Sequence, residues 1–183
     1  RNNGNIFISD GYANCSIHVF NKYNYKYLFS WGACGSKDGM FKLPHDICIN
    51  YSNGNGNDDT LIVADRENSR IQIFDLQGNF IYKWNIFRPC GMELSYFNSQ
   101  YPKALFISQL APSYIAKEGH NFKKLKSNQG NCVSIRDIET GKELKRIGSL
   151  TPSEGTNGFL YPHTIAVDSS GDIYTGNVAY HLV

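Results

Sequence analysis

Two histidines of this chain follow a proline in the same local sequence. The sequence FKLPH at residues 41–45 returns as FLYPH at residues 159–163, and alternating apolar residues follow each copy. A repeated pattern of this kind predicts a turn leading into a strand, with an imidazole at the same corner of each repeat. Neutral imidazole is a common zinc ligand, so His45 and His163 are candidate ligands of one metal ion. The alternative is that each histidine caps its turn and is satisfied by the backbone.

A tyrosine and an arginine lie just beyond two other predicted strands. Tyr12 follows Ser-Asp-Gly at residues 9–11, and Arg66 opens the sequence Arg-Glu-Asn at residues 66–68. The residues alone favour a structural interpretation of these positions, because Asp and Asn in turns bind their own backbone and Arg can pair with Asp between strands.

The elements that must position these residues are short strands, because helical periodicity is nearly absent. The alternating segments predict strands over residues 5–10, 16–20, 26–31, 46–50, 60–65, 70–74, 80–84, 104–108, 132–136, 143–147 and 163–167, with a further one from residue 171. We group the first four strands as one unit and start the next at Thr60. Asp10 and Asp65 are about 55 residues apart, near the ~40–50 residues of a β-propeller blade. The predicted class is therefore all-β.

Composition excludes some functions. The chain has 183 residues with a formal net charge of +2, and its 18 Lys and Arg residues are scattered. No basic stripe suggests a nucleic-acid partner. No apolar segment approaches the ~20 residues needed to span a bilayer. Since the chain opens with Arg1 and stops within a strand-like pattern, we expect it to be a fragment.

Cysteines and glycosylation motifs bear on the cellular compartment. Five cysteines without Cys-x-x-Cys spacing argue against a cysteine zinc site, and they allow one or two disulfides with at least one remaining thiol. Asn14 and Asn50 begin Asn-x-Ser sequences and are candidate glycosylation sites if the chain is secreted. Such tripeptides also occur by chance, so they favour the secretory route only weakly.

Four motifs occur in one order with blade-like spacing: residues 9–12, 41–45, 63–68 and 159–163. In that order they resemble the peptidyl-α-hydroxyglycine α-amidating lyase part of peptidylglycine α-amidating monooxygenase, and residues 65–71 resemble the core of an NHL repeat. The resemblance is tightest over residues 5–84 and 157–175. It implies a six-bladed propeller of NHL type, of which residues 1–183 form a partial lyase domain of about three to four blades lacking the N-terminal ones.

The resemblance also implies an activity. The lyase family cleaves a peptide that ends in α-hydroxyglycine, giving a C-terminally amidated peptide and glyoxylate in the secretory pathway. A central zinc is held by three histidines, two of which match His45 and His163. The base that deprotonates the substrate matches Tyr12, and an active-site arginine that also holds the substrate matches Arg66. The third histidine and a second arginine belong to blades that precede Arg1.

Some positions depart from the family pattern. The family's structural calcium uses a carboxylate directly after the last zinc histidine, and Thr164 stands there in this chain, which leaves calcium a doubtful cofactor. Cysteines that form disulfides in vertebrate lyases are replaced by Ala13, Ile62 and Ile73. An alternative function is a non-catalytic NHL propeller that binds protein or peptide on one face, since propellers serve both purposes. The repeated Pro-His and Tyr12 favour the enzyme.

Overall fold

The computed structural model describes residues 4–52, 58–96, 100–110, 131–148, 158–159 and 161–178. Thirteen strands and one short 3₁₀ turn, Arg66–Asn68, lie within these residues. The strands are β1 (Ile6–Asp10), β2 (Ser16–Phe20), β3 (Tyr27–Trp31), β4 (Pro44–Asn50), β5 (Thr60–Asp65), β6 (Arg70–Asp75), β7 (Phe80–Asn85), β8 (Pro89–Ser95), β9 (Ala104–Gln109), β10 (Cys132–Asp137), β11 (Glu143–Ile147), β12 (Pro162–Val167) and β13 (Ile173–Asn177).

The strands form four sheets with the spatial orders β1-β2-β3, β4-β5-β6-β7, β11-β10-β9-β8 and β12-β13. The neighbours β1-β2, β2-β3, β4-β5, β5-β6, β6-β7, β9-β10, β10-β11 and β12-β13 pair antiparallel, and neighbours in each sheet are consecutive along the chain. Short meandering sheets of this kind are typical of propeller blades, and the predicted all-β class is confirmed. The chain divides into two compact units, residues 1–89 and 90–183.

The first unit has its core between its two sheets. Strands β5 and β6 are buried along almost their whole length, whereas the outer strand β7 is mostly exposed. Burial on both faces accounts for the apolar run of β5, whereas β6 alternates and buries the polar side chains of Arg70 and Gln72 with hydrogen-bond partners. The core cluster consists of Ile17, Phe41, Leu61, Val63 and Phe74.

The second unit repeats this arrangement. Ala104, Phe106 and Ile135 are buried, and Ile165 and Val167 of β12 pack against them. The sheet β12-β13 therefore lies against the sheet β8–β11, and its face supplies part of the core. This contact fixes the strand that carries His163 within its own unit.

The predicted grouping of strands into units was wrong. Strand β4 pairs with β5 and not with the three strands before it, so the second sheet begins at Pro44 rather than at Thr60. The last sheet likewise begins at Pro162 rather than at Gly171, and β8 was not predicted at all. Alternation locates a strand but carries no information on its partner, and the β8 sequence PCGMELS has few residues of high β-propensity.

One disulfide joins Cys15 to Cys34. The other three cysteines, Cys48, Cys90 and Cys132, retain their thiols. A disulfide is thus present, as the cysteine count allowed. Among the residues described, no helix has the length and apolar character required to cross a membrane.

Candidate active site

A buried carboxylate fixes the end of β5, from which Arg66 projects. Asp65 is fully buried and accepts hydrogen bonds from Arg70 Nε at 2.7 Å, Asn68 Nδ2 at 2.8 Å and the Lys42 backbone N–H at 2.7 Å. These three donors come from β6, the 3₁₀ turn and the segment that leads into β4. The Asp65 carboxylate therefore ties the turn that carries Arg66 to the segment that precedes His45.

The turn before His45 is held by the same region. The backbone N–H groups of Arg66 and Glu67 donate to the carbonyls of Leu43 and Lys42 at 3.2 and 3.0 Å. Leu43 has a φ of 67°, a left-handed conformation that is uncommon for a residue other than glycine. The pairing of β4 with β5 is then irregular between Pro44 and Ile47. An irregularity of this type redirects a side chain at a strand end, here that of His45.

Tyr12 lies on the loop that joins β1 to β2. The Asp10 carboxylate organises this loop, because it accepts the Asn14 side-chain amide at 2.6 Å and contacts His18 Nε2 at 3.3 Å. The hydrogen bond from the Asn14 side chain is the main cause that lowers the pKa of Asp10; desolvation opposes it, and His18 lowers the pKa further. The Cys15–Cys34 disulfide closes the other end of the loop. Tyr12 is 74% exposed, so its ring is open to a substrate.

Three of the residues predicted from the sequence meet at one point. The Tyr12 hydroxyl is 3.1 Å from His45 Nε2, and Arg66 Nη1 donates to the same hydroxyl at 3.2 Å. The Tyr12 and His45 rings meet edge to face, and the Arg66 guanidinium carbon is 5.7 Å from the Tyr12 ring centroid. A guanidinium can donate to a phenol oxygen, and a phenol can exchange a proton with a bound molecule.

A second arginine and a carboxylate extend this group and were not predicted. Arg66 Nε donates to Glu67 Oε1 at 2.9 Å, and Arg88 Nη1 donates to Glu67 Oε2. Arg88 follows β7 and precedes β8, and nothing in its local sequence marks it. Glu67 lies in the NHL-like motif, and its acidic side chain directly after Arg66 in the sequence is the feature from which it could have been predicted.

His163 lies in the second unit, at the second position of β12. A Cβ atom on Gly91 would lie 2.9 Å from the His163 carbonyl oxygen and 2.8 Å from the Thr164 Cα, so the absence of a side chain on β8 lets the two backbones approach. Ser108 secures Gly91, whose N–H donates to the Ser108 hydroxyl at 2.8 Å. His163 thus lies near the start of the first strand of its sheet, as His45 lies near the start of β4.

The remaining candidates have separate surroundings. Asn14 is exposed and its amide binds Asp10, whereas Asn50 ends β4 opposite Thr60. Thr164 offers a hydroxyl in place of a carboxylate. In the part of the chain that the structure describes, no three His, Cys, Asp or Glu residues cluster in a way that could hold a metal ion.

Comparison with known proteins is consistent with the observed fold and identifies proteins of similar sequence. The NHL repeat model matches residues 41–74, the segment that holds His45 and Arg66. Peptidyl-glycine alpha-amidating monooxygenase A of Xenopus laevis is 39% identical over 188 residues, covering 98% of this chain and 17% of the relative. Form B of the same organism is 37% identical over 189 residues, covering 98% of this chain and 18% of the relative. The chain thus spans less than a fifth of the length of these relatives.

The fold is also similar to solved structures. A protein of unknown function from Bacteroides caccae superimposes with a TM-score of 0.58 at 13% identity, over 95% of this chain and 52% of that one. At this identity the similarity concerns the fold alone. The two sequence relatives match almost the entire chain.

Proposed function

This chain belongs to the peptidylglycine α-amidating monooxygenase family of NHL-repeat proteins, and on that premise we propose that it is a zinc-dependent lyase. Its substrate is a peptide that ends in α-hydroxyglycine, and its products are a C-terminally amidated peptide and glyoxylate. The observation that carries the proposal is the position of the Tyr12 hydroxyl, which contacts both His45 Nε2 and Arg66 Nη1. A phenol oxygen between an imidazole and a guanidinium has the surroundings of a general base.

The reaction needs one proton transfer and one bond cleavage. Tyr12, as the phenolate, takes the proton of the substrate's α-hydroxyl group. The electron pair of that O–H bond forms the aldehyde C=O of glyoxylate, while the bond from the same carbon to the amide nitrogen breaks. The nitrogen takes up a proton and leaves as the terminal amide. Oxidation states balance within the substrate, so the step itself requires no redox partner.

Arg66 serves both the base and the substrate in this proposal. Its Nη1 donates to Tyr12, and the guanidinium can also bind the carboxylate of the hydroxyglycine residue. The Arg66 side chain is only 11% exposed, so its charge acts in a region of reduced dielectric constant, where it is worth more than in water. The substrate carboxylate would thus lie beside the oxygen that removes the proton.

His45 and His163 are the proposed zinc ligands. The chemistry of the donors fits the metal, because zinc accepts neutral imidazole nitrogen and a catalytic site keeps a position open. His45 Nε2 lies 3.1 Å from the Tyr12 hydroxyl, so a metal ion bound at this nitrogen would replace that contact and lie beside the hydroxyl. When bound, zinc would act as a Lewis acid toward the substrate oxygen. Two imidazoles leave ligand positions to be filled by other groups, and the Thr164 hydroxyl gives no reason to add calcium.

The same proposal sets the cellular context. Residues 1–183 would form part of a propeller lyase domain, and the partner is the hydroxyglycine-extended peptide. Disulfides persist in oxidising compartments, so the Cys15–Cys34 bond supports a lumenal or secreted location. In such a compartment Asn14 and Asn50 would be open to glycosylation.

Glyoxylate release from a hydroxyglycine-extended peptide tests the function in the full-length protein. Removal of a general base costs roughly 10²- to 10⁴-fold, so we expect losses of this size for Tyr12→Phe, with a loss of bound zinc for His45→Ala. Tyr23→Phe is the matched control, because Tyr23 is exposed in the β2–β3 hairpin. Unchanged activity in Tyr12→Phe would refute the role of Tyr12. A wild-type protein that neither releases glyoxylate nor binds zinc would favour the non-catalytic scaffold.

A further inference from the structure

We propose that Arg88 is a positioning residue that acts through Glu67 on Arg66. By neutralising Glu67, Arg88 leaves the positive charge of Arg66 available to the Tyr12 oxygen and to a substrate carboxylate. The inference rests on the proposed lyase function. Among the described contacts, Arg88 makes no hydrogen bond to Tyr12, and it does not belong to the repeated motifs.

Hydrogen bonds connect the charged side chains of Arg88, Glu67 and Arg66 in series. Glu67 uses both carboxylate oxygens, Oε1 for Arg66 Nε and Oε2 for Arg88 Nη1. Arg66 then directs Nη1 to the Tyr12 hydroxyl at 3.2 Å. A guanidinium held along its Nε edge cannot rotate freely about its long side chain, so Glu67 sets the direction in which Nη1 points.

The charges explain why a second arginine is needed. The charges of Glu67 and Arg66 alone would sum to zero, and the pair would then exert little net positive charge on the Tyr12 oxygen. Arg88 restores a net charge of +1 to the three groups. The side chains of Arg66, Glu67 and Arg88 are 11%, 26% and 12% exposed, so water screens these charges only partly. The sum of the charges therefore matters at the Tyr12 oxygen.

The backbone at Arg88 is a second observation that points to a specific role. Arg88 has a φ of 36°, in the left-handed region that residues with a side chain rarely adopt. Its N–H donates to the Ser69 hydroxyl at 3.4 Å, and the N–H of Ile86 donates to the Ser69 carbonyl at 3.1 Å. Strained backbone of this kind persists where the surrounding structure holds it, and it concentrates at functional sites. Here it brings the Arg88 side chain to Glu67.

A double-mutant cycle separates charge balance from a merely structural role. With the full-length protein and the hydroxyglycine peptide, Arg88→Gln should lower kcat/KM roughly 10-fold or more, because Glu67 then neutralises Arg66. Adding Glu67→Gln should restore most of the activity, since the amide oxygen introduced at position 67 can still accept from Arg66 Nε without cancelling its charge. Arg88→Lys should remain close to wild type. A purely structural pair would instead give a double variant no better than the single one.

The chain offers a matched control in a second Arg–Glu–Arg group. Glu143 bridges Arg136 and Arg146 on the β10–β11 hairpin, and Arg136→Gln should leave kcat/KM unchanged. Wild-type activity in Arg88→Gln, or a double variant as impaired as Arg88→Gln, would overturn the inference while the lyase function stands. An inactive wild-type protein would overturn both. If Arg88→Gln does not fold, the other two variants decide the question. Loss of activity in Arg88→Lys, while the double variant Glu67→Gln/Arg88→Gln is folded, then overturns the inference.

Discussion

Gly11 packs against Pro44 so closely that a Cβ atom at position 11 would lie 2.3 Å from the Pro44 carbonyl oxygen. Gly11 precedes Tyr12 and Pro44 precedes His45, so this single approach of two backbones sets the distance between the proposed base and the proposed zinc ligand. In the other unit, Gly91 makes a comparable close approach to the backbone of His163 and Thr164. Both histidine-bearing strands are thus placed against a glycine that admits no side chain.

Gly11→Ala is expected to lower kcat/KM roughly 10- to 100-fold, because misplacing reactive groups by about 1 Å can cost 10²-fold. The added methyl group meets backbone atoms, which cannot move aside as a flexible side chain can. The measurement is glyoxylate release in the full-length protein. Gly4→Ala is the control, since its Cβ would meet only the Lys22 side chain. Wild-type kinetics in Gly11→Ala would show that this contact does not position the site.

The sequence predicted the strands better than the sheets. Short segments with apolar residues between polar turns placed β2, β5 and β11 at their observed bounds. The partner of β4 could not be predicted in the same way. Whether a strand pairs forward or backward depends on how the connecting segments pack, and the local pattern is the same in both cases.

The sequence predicted only those site residues that belong to recognisable motifs. His45 was selected from the repeated Pro-His motif, and Tyr12 and Arg66 were selected by the family resemblance. The structure brings all three together. Arg88 could not be selected, because its contact with Glu67 depends on where the β6–β7 hairpin returns the chain. Long-range pairs of this kind follow from the register of strands rather than from the composition of any segment.

The Cys15–Cys34 disulfide should stabilise the loop that carries Tyr12. It closes a segment with a sequence separation of 19 residues, and a loop of this size gains about 3 kcal/mol from a cross-link in the chain-entropy model. We expect Cys15→Ser/Cys34→Ser to lower the free energy of unfolding in urea by roughly 2–4 kcal/mol. Cys48→Ser is the control, because Cys48 is not in a disulfide. An unchanged urea midpoint in the double variant would contradict this assignment.

Cys132 should resist alkylation in the native protein. Burial raises the pKa of its thiol to about 11, although the nearby Arg146 charge opposes this effect. Against the ordinary value of 9.0, the thiolate fraction at pH 8 is about 100-fold smaller. Stability linked to this thiol is present below pH 9 and is lost as the pH rises toward 11. Mass spectrometry after iodoacetamide treatment at about pH 8 should find Cys132 modified only in denaturant, and rapid native labelling would contradict this.

Two turn aspartates should make the second unit sensitive to acid. Hydrogen bonds from the Thr140 side chain and backbone lower the pKa of Asp137, and the Asp172 N–H, with Tyr174 and other donors, lowers the pKa of Asp168. Because both values lie below the ordinary 3.8, the stabilisation is present above that pH and is lost as the pH falls through the lowered values.

Replacing both carboxyl groups tests this. Asp137→Asn/Asp168→Asn should weaken the decrease in urea midpoint between about pH 5 and strongly acidic pH, since the single amide oxygen of asparagine can still accept from the backbone N–H groups of each turn without titrating. Glu139→Gln is the control, because Glu139 is exposed next to the same turn and forms only a long ion pair with Lys103 among the described contacts. If the double variant and Glu139→Gln lose stability in acid to the same extent as wild type, these turns do not determine the acid sensitivity.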